Sequence, residues 1–313
     1  MTALHHGTFD LQANGFAGVD FQRPAISAEA MVRAVAALRA HGTTRILLTL
    51  ITDTIEAFIA QLEHVERLAA ADPAVRAMVA GYHLEGPYLL PEPGYHGAHD
   101  PRKMKRPDCR EFDRLWAAAG GRVRLITLAP EWPGSLEFIR HVVGHGVRVA
   151  IGHSNADDRA IDAAMAAGLT LCTHVGIGVP QQLPRHDNII QRLLARDELW
   201  AVFIPDGLHV PPGTLRNFVR AKPRDKVLFT TDCVAAAGAP AGRYTVGAIE
   251  VEAGADGVVR EPGKPNFAGS SLTMDCAVEN VRRFLGWSEA EARHACGAGV
   301  AQVLGFPSID GQF

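Results

Sequence analysis

Residues 147–174 read VRVAIGHSNADDRAIDAAMAAGLTLCTH, and their rhythm decides the fold. An apolar run at 147–152 ends on His153-Ser154-Asn155. An Ala-rich amphipathic segment at 157–167 follows and stops at Gly168, a residue that lets a helix end in a left-handed turn. A second apolar run, at 169–174, again ends on an imidazole, His174. Neither run alternates cleanly between apolar and polar residues, which suits strands covered on both faces of a parallel sheet. The stretch therefore predicts strand, helix and parallel strand, with polar groups gathered at the strands' C-terminal ends.

The same beat runs along the rest of the chain. Further strands are predicted at 8–13, 44–50, 79–84, 123–129, 200–204 and 226–231, which brings the total to eight. Helices are predicted at 27–41, opened by a Ser27 cap and closed at Gly42, and at 54–70, 135–144, 212–221 and 272–285. Eight alternations of this kind predict an α/β fold, the (β/α)8 TIM barrel. A doubly wound sheet would want a GxGxxG turn after an early strand, and Asn14-Gly15-Phe16-Ala17-Gly18 lacks that spacing. Residues 242–264, GRYTVGAIEVEAGADGVVREPGK, alternate and turn at Gly254 and Asp256-Gly257. They predict a β-hairpin inserted between the eighth strand and the eighth helix. No low-complexity linker divides the chain, so 1–313 reads as a single barrel domain.

Composition limits the function. With 313 residues and 47% hydrophobic content the chain can bury a large core, which excludes disorder and coiled coil for the whole. A formal charge of −3 argues against nucleic-acid and anionic-membrane partners. Five cysteines without a CxxC pair fit a reducing compartment, so a cytoplasmic location is expected. The first residues show no secretory pattern, and His5 and His6 read as solvated. No apolar run approaches the ~20 residues of a membrane span.

The polar groups fall on strand ends. The third strand runs into His83-Leu84-Glu85-Gly86-Pro87, the fifth into His153, the sixth into His174, the seventh into Asp206-Gly207-Leu208-His209 and the eighth into Asp232. That is the face where barrel enzymes carry their chemistry. Glu85, His153 and His174 offer one oxygen and two nitrogens, a donor set for one Zn2+ or for Fe2+, Mn2+ or Co2+. Three protein ligands leave room for a water whose pKa falls towards ~7. Asp232 is the candidate base and then acid, and His209 a candidate for positioning substrate. Together they describe metal-assisted hydrolysis of an amide or ester-like bond. In the loop at 94–99, His96 and His99 are candidates for substrate contact. His141 and His145 read as structural, as do Cys172 and Cys233, and the cluster Arg102, Lys103, Lys105, Arg106 reads as a solvated face.

These residues resemble the amidohydrolase superfamily and, within it, the N-acetylglucosamine-6-phosphate deacetylases. The matching blocks include residues 10–15 (DLQANG), 83–87 (HLEGP), 97–99 (GAH), 127–131 (TLAPE), 152–156 (GHSNA), 206–210 (DGLHV) and 268–274 (AGSSLTM). The resemblance implies that Glu85, His153 and His174 hold a catalytic divalent metal and that Asp232 is the acid/base. It also implies that His209 touches the sugar or its phosphate, that Arg185 reaches phosphate across a homodimer interface, and that Gln12, His99 and Gly178 belong to the substrate site. Gln12 and Asn14 replace the two histidines that many relatives carry, which implies a single metal. Ile177 stands where the family has a substrate-holding Asn. The accessory β-sandwich domain is not expected. The leading reading is removal of an acetyl group from an N-acetylated amino sugar, with N-acetylglucosamine-6-phosphate or a close relative as the small-molecule substrate. An amidohydrolase for another amide or cyclic amide, and a sugar-binding barrel without turnover, stay open beside it.

Overall fold

The computed structural model describes residues 7–264 and 267–307, so the residues at 5 and 6 lie outside the described residues. Eight strands stand side by side in chain order. They are β1 (Thr8–Ala13), β2 (Thr43–Ile51), β3 (Val79–Glu85), β4 (Val123–Leu128), β5 (Arg148–Ile151), β6 (Leu171–Cys172), β7 (Trp200–Phe203) and β8 (Val227–Phe229). Every neighbouring pair is parallel. The end of β1 meets the chain beyond β8 through a parallel bridge, Ala13 to Cys233, so the barrel is nearly closed.

The helices follow their local chemistry. Ser27, Thr54 and Asp157 each accept a backbone N–H at the start of helices Ala28–Ala40, Ile55–Ala71 and Asp158–Ala167. Gly168 closes the last of these with φ +118°. Cys109–Ala118 after β3 and Ile189–Leu194 after β6 escape the sequence pattern, as do the short helices Pro73–Met78, Glu289–Ala295 and Ala298–Val303. The first buries only Phe112 and Leu115, a stripe too thin for a periodicity reading. Segment 242–264 folds into three antiparallel strands, β9 (Gly242–Val246), β10 (Ile249–Ala253) and β11 (Val259–Arg260). The third strand, beyond a plain hairpin, arises because the turn at Asp256-Gly257 brings Val259 and Arg260 back against Ala253 and Glu252. Its apolar face packs on Val234 and Ala236 just after β8 and on Ala268 beyond β11, which places this small sheet over the C-terminal rim.

Inside the barrel, side chains stack in layers. Phe9, Leu11, Leu47, Leu125, Ala150, Leu171, Val202 and Leu228 form the apolar layer, plugged by Val300 and Ala301. Above it lies a polar layer: His83 Nε2 is 2.8 Å from Thr127 Oγ1, which is 2.6 Å from Thr173 Oγ1. Burial pushes His83 down to about 4, so its ring is neutral.

Asp10 joins the two ends of the sheet. Its buried carboxylate accepts bonds from the hydroxyls of Thr230 and Thr231 and from the N–H groups of Gln12 and Thr231. Asp10→Ala strands those donors in a dry interior and is expected to cost about 3 kcal/mol or more. Urea unfolding checks this; a loss below 1 kcal/mol would show that the seam does not depend on Asp10.

Candidate active site

Four ionisable side chains meet at the C-terminal rim. Glu85 ends β3, while His153, His174 and Asp232 follow β5, β6 and β8 by two or three residues. His153, His174 and Asp232 hold φ at +52°, +25° and +52°; among the described residues the other non-glycine with positive φ is Ala17. Such backbone is costly for a residue with Cβ and clusters where function requires it.

The contacts centre on Glu85. Its Oε1 is 2.8 Å from His174 Nε2 and 3.5 Å from His153 Nε2. Its Oε2 accepts from Gln12 Nε2 at 2.9 Å and lies 3.6 Å from His99 Nε2. Asp232 Oδ1 accepts from Asn14 Nδ2 at 2.7 Å. Burial works against the charge on Glu85, but the hydrogen bond with His174 and the surrounding imidazoles outweigh it and hold its carboxyl well below the usual range. For His174 burial is likewise outweighed, by the Glu85 carboxylate, and the ring titrates above its ordinary value. Asp232 moves the other way: burial and the nearby charge of Glu85 push it up to about 7.

Hydrogen bonds fix which nitrogens are bare. His153 Nδ1 donates to the Tyr95 carbonyl at 2.7 Å, so its Nε2 lone pair faces Glu85. His99 is reversed. Its Nδ1 accepts the Thr52 N–H at 3.3 Å, so the neutral ring carries its proton on Nε2. Burial pushes His99 down to about 3, which keeps it neutral. The ligand atoms of Glu85, His99 and His153 lie within 4.8 Å of one another, yet His99 could bind a cation only by breaking its bond with Thr52. His153 suffers no such loss, and His174 would exchange its 2.8 Å contact with Glu85 for a cation placed between them; with Glu85 they offer one oxygen and two nitrogens to a divalent cation. His174 Nδ1, Gln12 Oε1 and Asn14 Oδ1 are buried without partners, as expected beside a site that completes itself with a ligand.

A cavity of about 420 Å3 opens over these groups. Glu85, His99, His153, His174, His209 and Asp232 line it, with Val246 and Ile249 of the small sheet on the opposite wall. His209 Nδ1 pairs with Asp206 Oδ2 at 2.6 Å, leaving Nε2 for a substrate. Gly178 lines the cavity, whereas Gln12 is fully buried beneath it and Arg185 is exposed away from its lining. Cys172 flanks the site, but burial pushes its thiol up to about 12, so it stays protonated. Two supporting groups carry no spacing signal, the Tyr95 carbonyl and the Thr52 amide; a third, Glu131, ends the 127–131 block. Glu131 accepts from Ser154 Oγ at 2.8 Å and from the Asn155 N–H, bracing the turn that carries His153.

Two glycines press on His153. A Cβ at Gly97 would lie 2.9 Å from its Cε1, and one at Gly178 would lie 2.7 Å from its Nδ1; both glycines have positive φ. Gly178→Ala is therefore expected to displace the ring and weaken cation binding about tenfold or more, read by competition with a chromophoric chelator. Unchanged affinity would overturn this packing argument.

Comparison with known proteins agrees with the geometry. No family model matches the chain. It is 35% identical over 320 residues to the N-acetylglucosamine-6-phosphate deacetylase of Mus musculus, covering 98% of this chain and 76% of that protein. It is 33% identical over 306 residues to the N-acetylgalactosamine-6-phosphate deacetylase of Escherichia coli O157:H7, covering 96% and 78%. Among solved structures, a mutant N-acetyl-D-glucosamine-6-phosphate deacetylase from Mycobacterium smegmatis, in complex with N-acetyl-D-glucosamine-6-phosphate, matches with a TM-score of 0.87 at 31% identity over 96% of this chain and 78% of that one. With relatives this near over almost its whole length, and with the same barrel, the chain belongs to the N-acetylglucosamine-6-phosphate deacetylase family of the amidohydrolase superfamily.

Proposed function

We propose that this chain hydrolyses the acetamido group of an N-acetylated amino sugar 6-phosphate, releasing acetate and the free amine. One observation carries the reading: Glu85, His153 and His174 converge beside Asp232 in a cavity of sugar size. Zinc is the first choice of cation, with iron, manganese or cobalt able to take the same donors. A cation held there supplies Lewis-acid chemistry, lowering the pKa of a water and polarising the amide carbonyl.

The chain's own groups do the rest. Asp232 Oδ1 is engaged by Asn14, so Oδ2 is the atom that takes the proton from the attacking water. The same oxygen returns it to the departing nitrogen. The His99 Nε2–H points into the site as a fixed donor for the carbonyl oxygen as negative charge develops. His209, braced by Asp206, holds the sugar. Gln12 keeps the Glu85 carboxylate in place from below.

The phosphate needs positive charge, and among the described residues lining the cavity there is no Lys or Arg. In this proposal the exposed Arg185 serves the cavity of a second copy, making the working form a homodimer in the cytoplasm. A second reading follows from Ile177, an apolar residue in the cavity wall: the preferred substrate is the same N-acetyl amino sugar without its phosphate.

A substrate panel decides. N-acetylglucosamine-6-phosphate, N-acetylgalactosamine-6-phosphate, their dephosphorylated forms, N-acyl amino acids and cyclic ureides are assayed for free amine with the zinc-loaded enzyme. Release from the 6-phosphates supports the proposal; release mainly from the neutral sugars selects the second reading. A protein that binds metal but hydrolyses none of the panel overturns both. Asp232→Asn is expected to keep its metal and lose about 10³-fold in kcat. Because the base must be ionised, activity falls as pH falls, and this acid limb lies at or below the value of about 7 set by burial. Rates that rise on acidification would exclude Asp232 as the base.

A further inference from the structure

A second cluster of donors lies outside the barrel and shares no residue with the rim. Helices Cys109–Ala118 and Ser135–Gly144 pack together there. His141 stands in the last turn of the second helix and His145 is its C-terminal cap. Residues four apart on a helix share a face. Asp113 rises to meet both, with Oδ1 at 2.6 Å from His141 Nε2 and 3.8 Å from His145 Nε2.

Several features make this more than an ion pair. His145 Nδ1 donates to the His141 carbonyl at 3.0 Å, so the neutral ring presents a bare Nε2 towards Asp113. A backbone carbonyl fixing one histidine nitrogen while the other binds metal is a recurrent arrangement at metal centres. The two rings lie 4.9 Å apart, and each meets the Phe112 ring edge-on, at 5.8 and 5.3 Å. Trp116 closes the other side of His145 at 5.3 Å. This aromatic shelf limits the orientations the rings can take. The three ligand atoms lie within 4.8 Å of one another. Ligands about 2.1 Å from a tetrahedral cation stand about 3.4 Å apart, a value between the two distances to Asp113. The C-terminal end of the second helix adds its partial negative charge.

We propose that Asp113, His141 and His145 bind a late first-row divalent cation, zinc in the cell, which clamps two consecutive barrel helices together. The half-exposed site leaves further positions to water and is structural. Borderline-soft cations suit two imidazoles and a carboxylate, whereas magnesium and calcium do not.

The test uses the zinc-loaded enzyme titrated with Cu2+ and read by tryptophan fluorescence, because Trp116 touches the proposed site. Saturable quenching at one added equivalent is expected, with electron paramagnetic resonance showing nitrogen couplings from imidazole. His145→Ala and Asp113→Asn should each weaken this binding at least tenfold while leaving hydrolysis unchanged, since neither residue belongs to the rim. Zinc should raise the melting temperature of the parent protein more than that of either variant. Identical quenching curves for parent and both variants, or no saturation below millimolar copper, would overturn the proposal and leave a histidine–aspartate ion pair.

Discussion

A carboxylate buried at the end of the third strand cannot stand alone, and the rim of the barrel is arranged around that fact. Glu85 is almost completely excluded from water, so its charge needs partners at close range. Gln12 meets one oxygen from β1, and His153 and His174 crowd the other from beyond β5 and β6. Each partner comes from a different strand, so the curvature of the barrel assembles the set. Asp232 has less compensation: Asn14 gives it one hydrogen bond, and His174 and His209 favour its charge without outweighing burial. It sits near the same negative charge and holds its proton more tightly, which separates a group that binds from a group that titrates. Two carboxylates, one ending β3 and one three residues past β8, thus acquire different electrostatics from their surroundings alone.

The strand period of two delivers stability and chemistry from the same segments. Leu47 and Thr49, Leu125 and Thr127, and Leu171 and Thr173 point inward at successive levels. The lower residue fills the core and the upper one joins the polar floor. One level higher, the chain leaves the strand, and His153, His174 and Asp232 turn inward only by adopting positive φ. That backbone is unfavourable for a residue with Cβ, so the neighbouring structure must hold it. Glu131 grips the turn after His153, and the β1–β8 seam anchors the segment before Asp232. The strained residues are therefore flanked by hydrogen bonds that hold the backbone.

This division explains what a reader of the sequence can and cannot see. The strands and their polar ends are visible because apolar runs and strand-end polarity are local. HLEGP and GHSNA mark Glu85 and His153 without any knowledge of their neighbours. The helix Cys109–Ala118 is invisible because it buries only two side chains on a polar background. The proton positions are invisible for another reason. His153 is set by a carbonyl at Tyr95 and His99 by an amide at Thr52, and backbone groups leave no trace in residue identity. The contrast between His153, whose Nε2 is bare, and His99, whose Nε2 carries the proton, thus emerges only when the loops are folded. His141 and His145 show the same limit, since their spacing is plain but their third partner, Asp113, comes from a helix the pattern misses.

The loop after His174 shows how one segment separates two duties. Gly178 presses on His153 so closely that a single methyl group would collide with the ring. One residue earlier, Ile177 faces the same cavity with no comparable constraint on its chemistry. A change at Ile177 alters what the wall offers a substrate and leaves the imidazole in place, whereas a change at Gly178 moves the imidazole itself. The wall at Ile177 is apolar, while the glycine backbone beside it keeps His153 aligned.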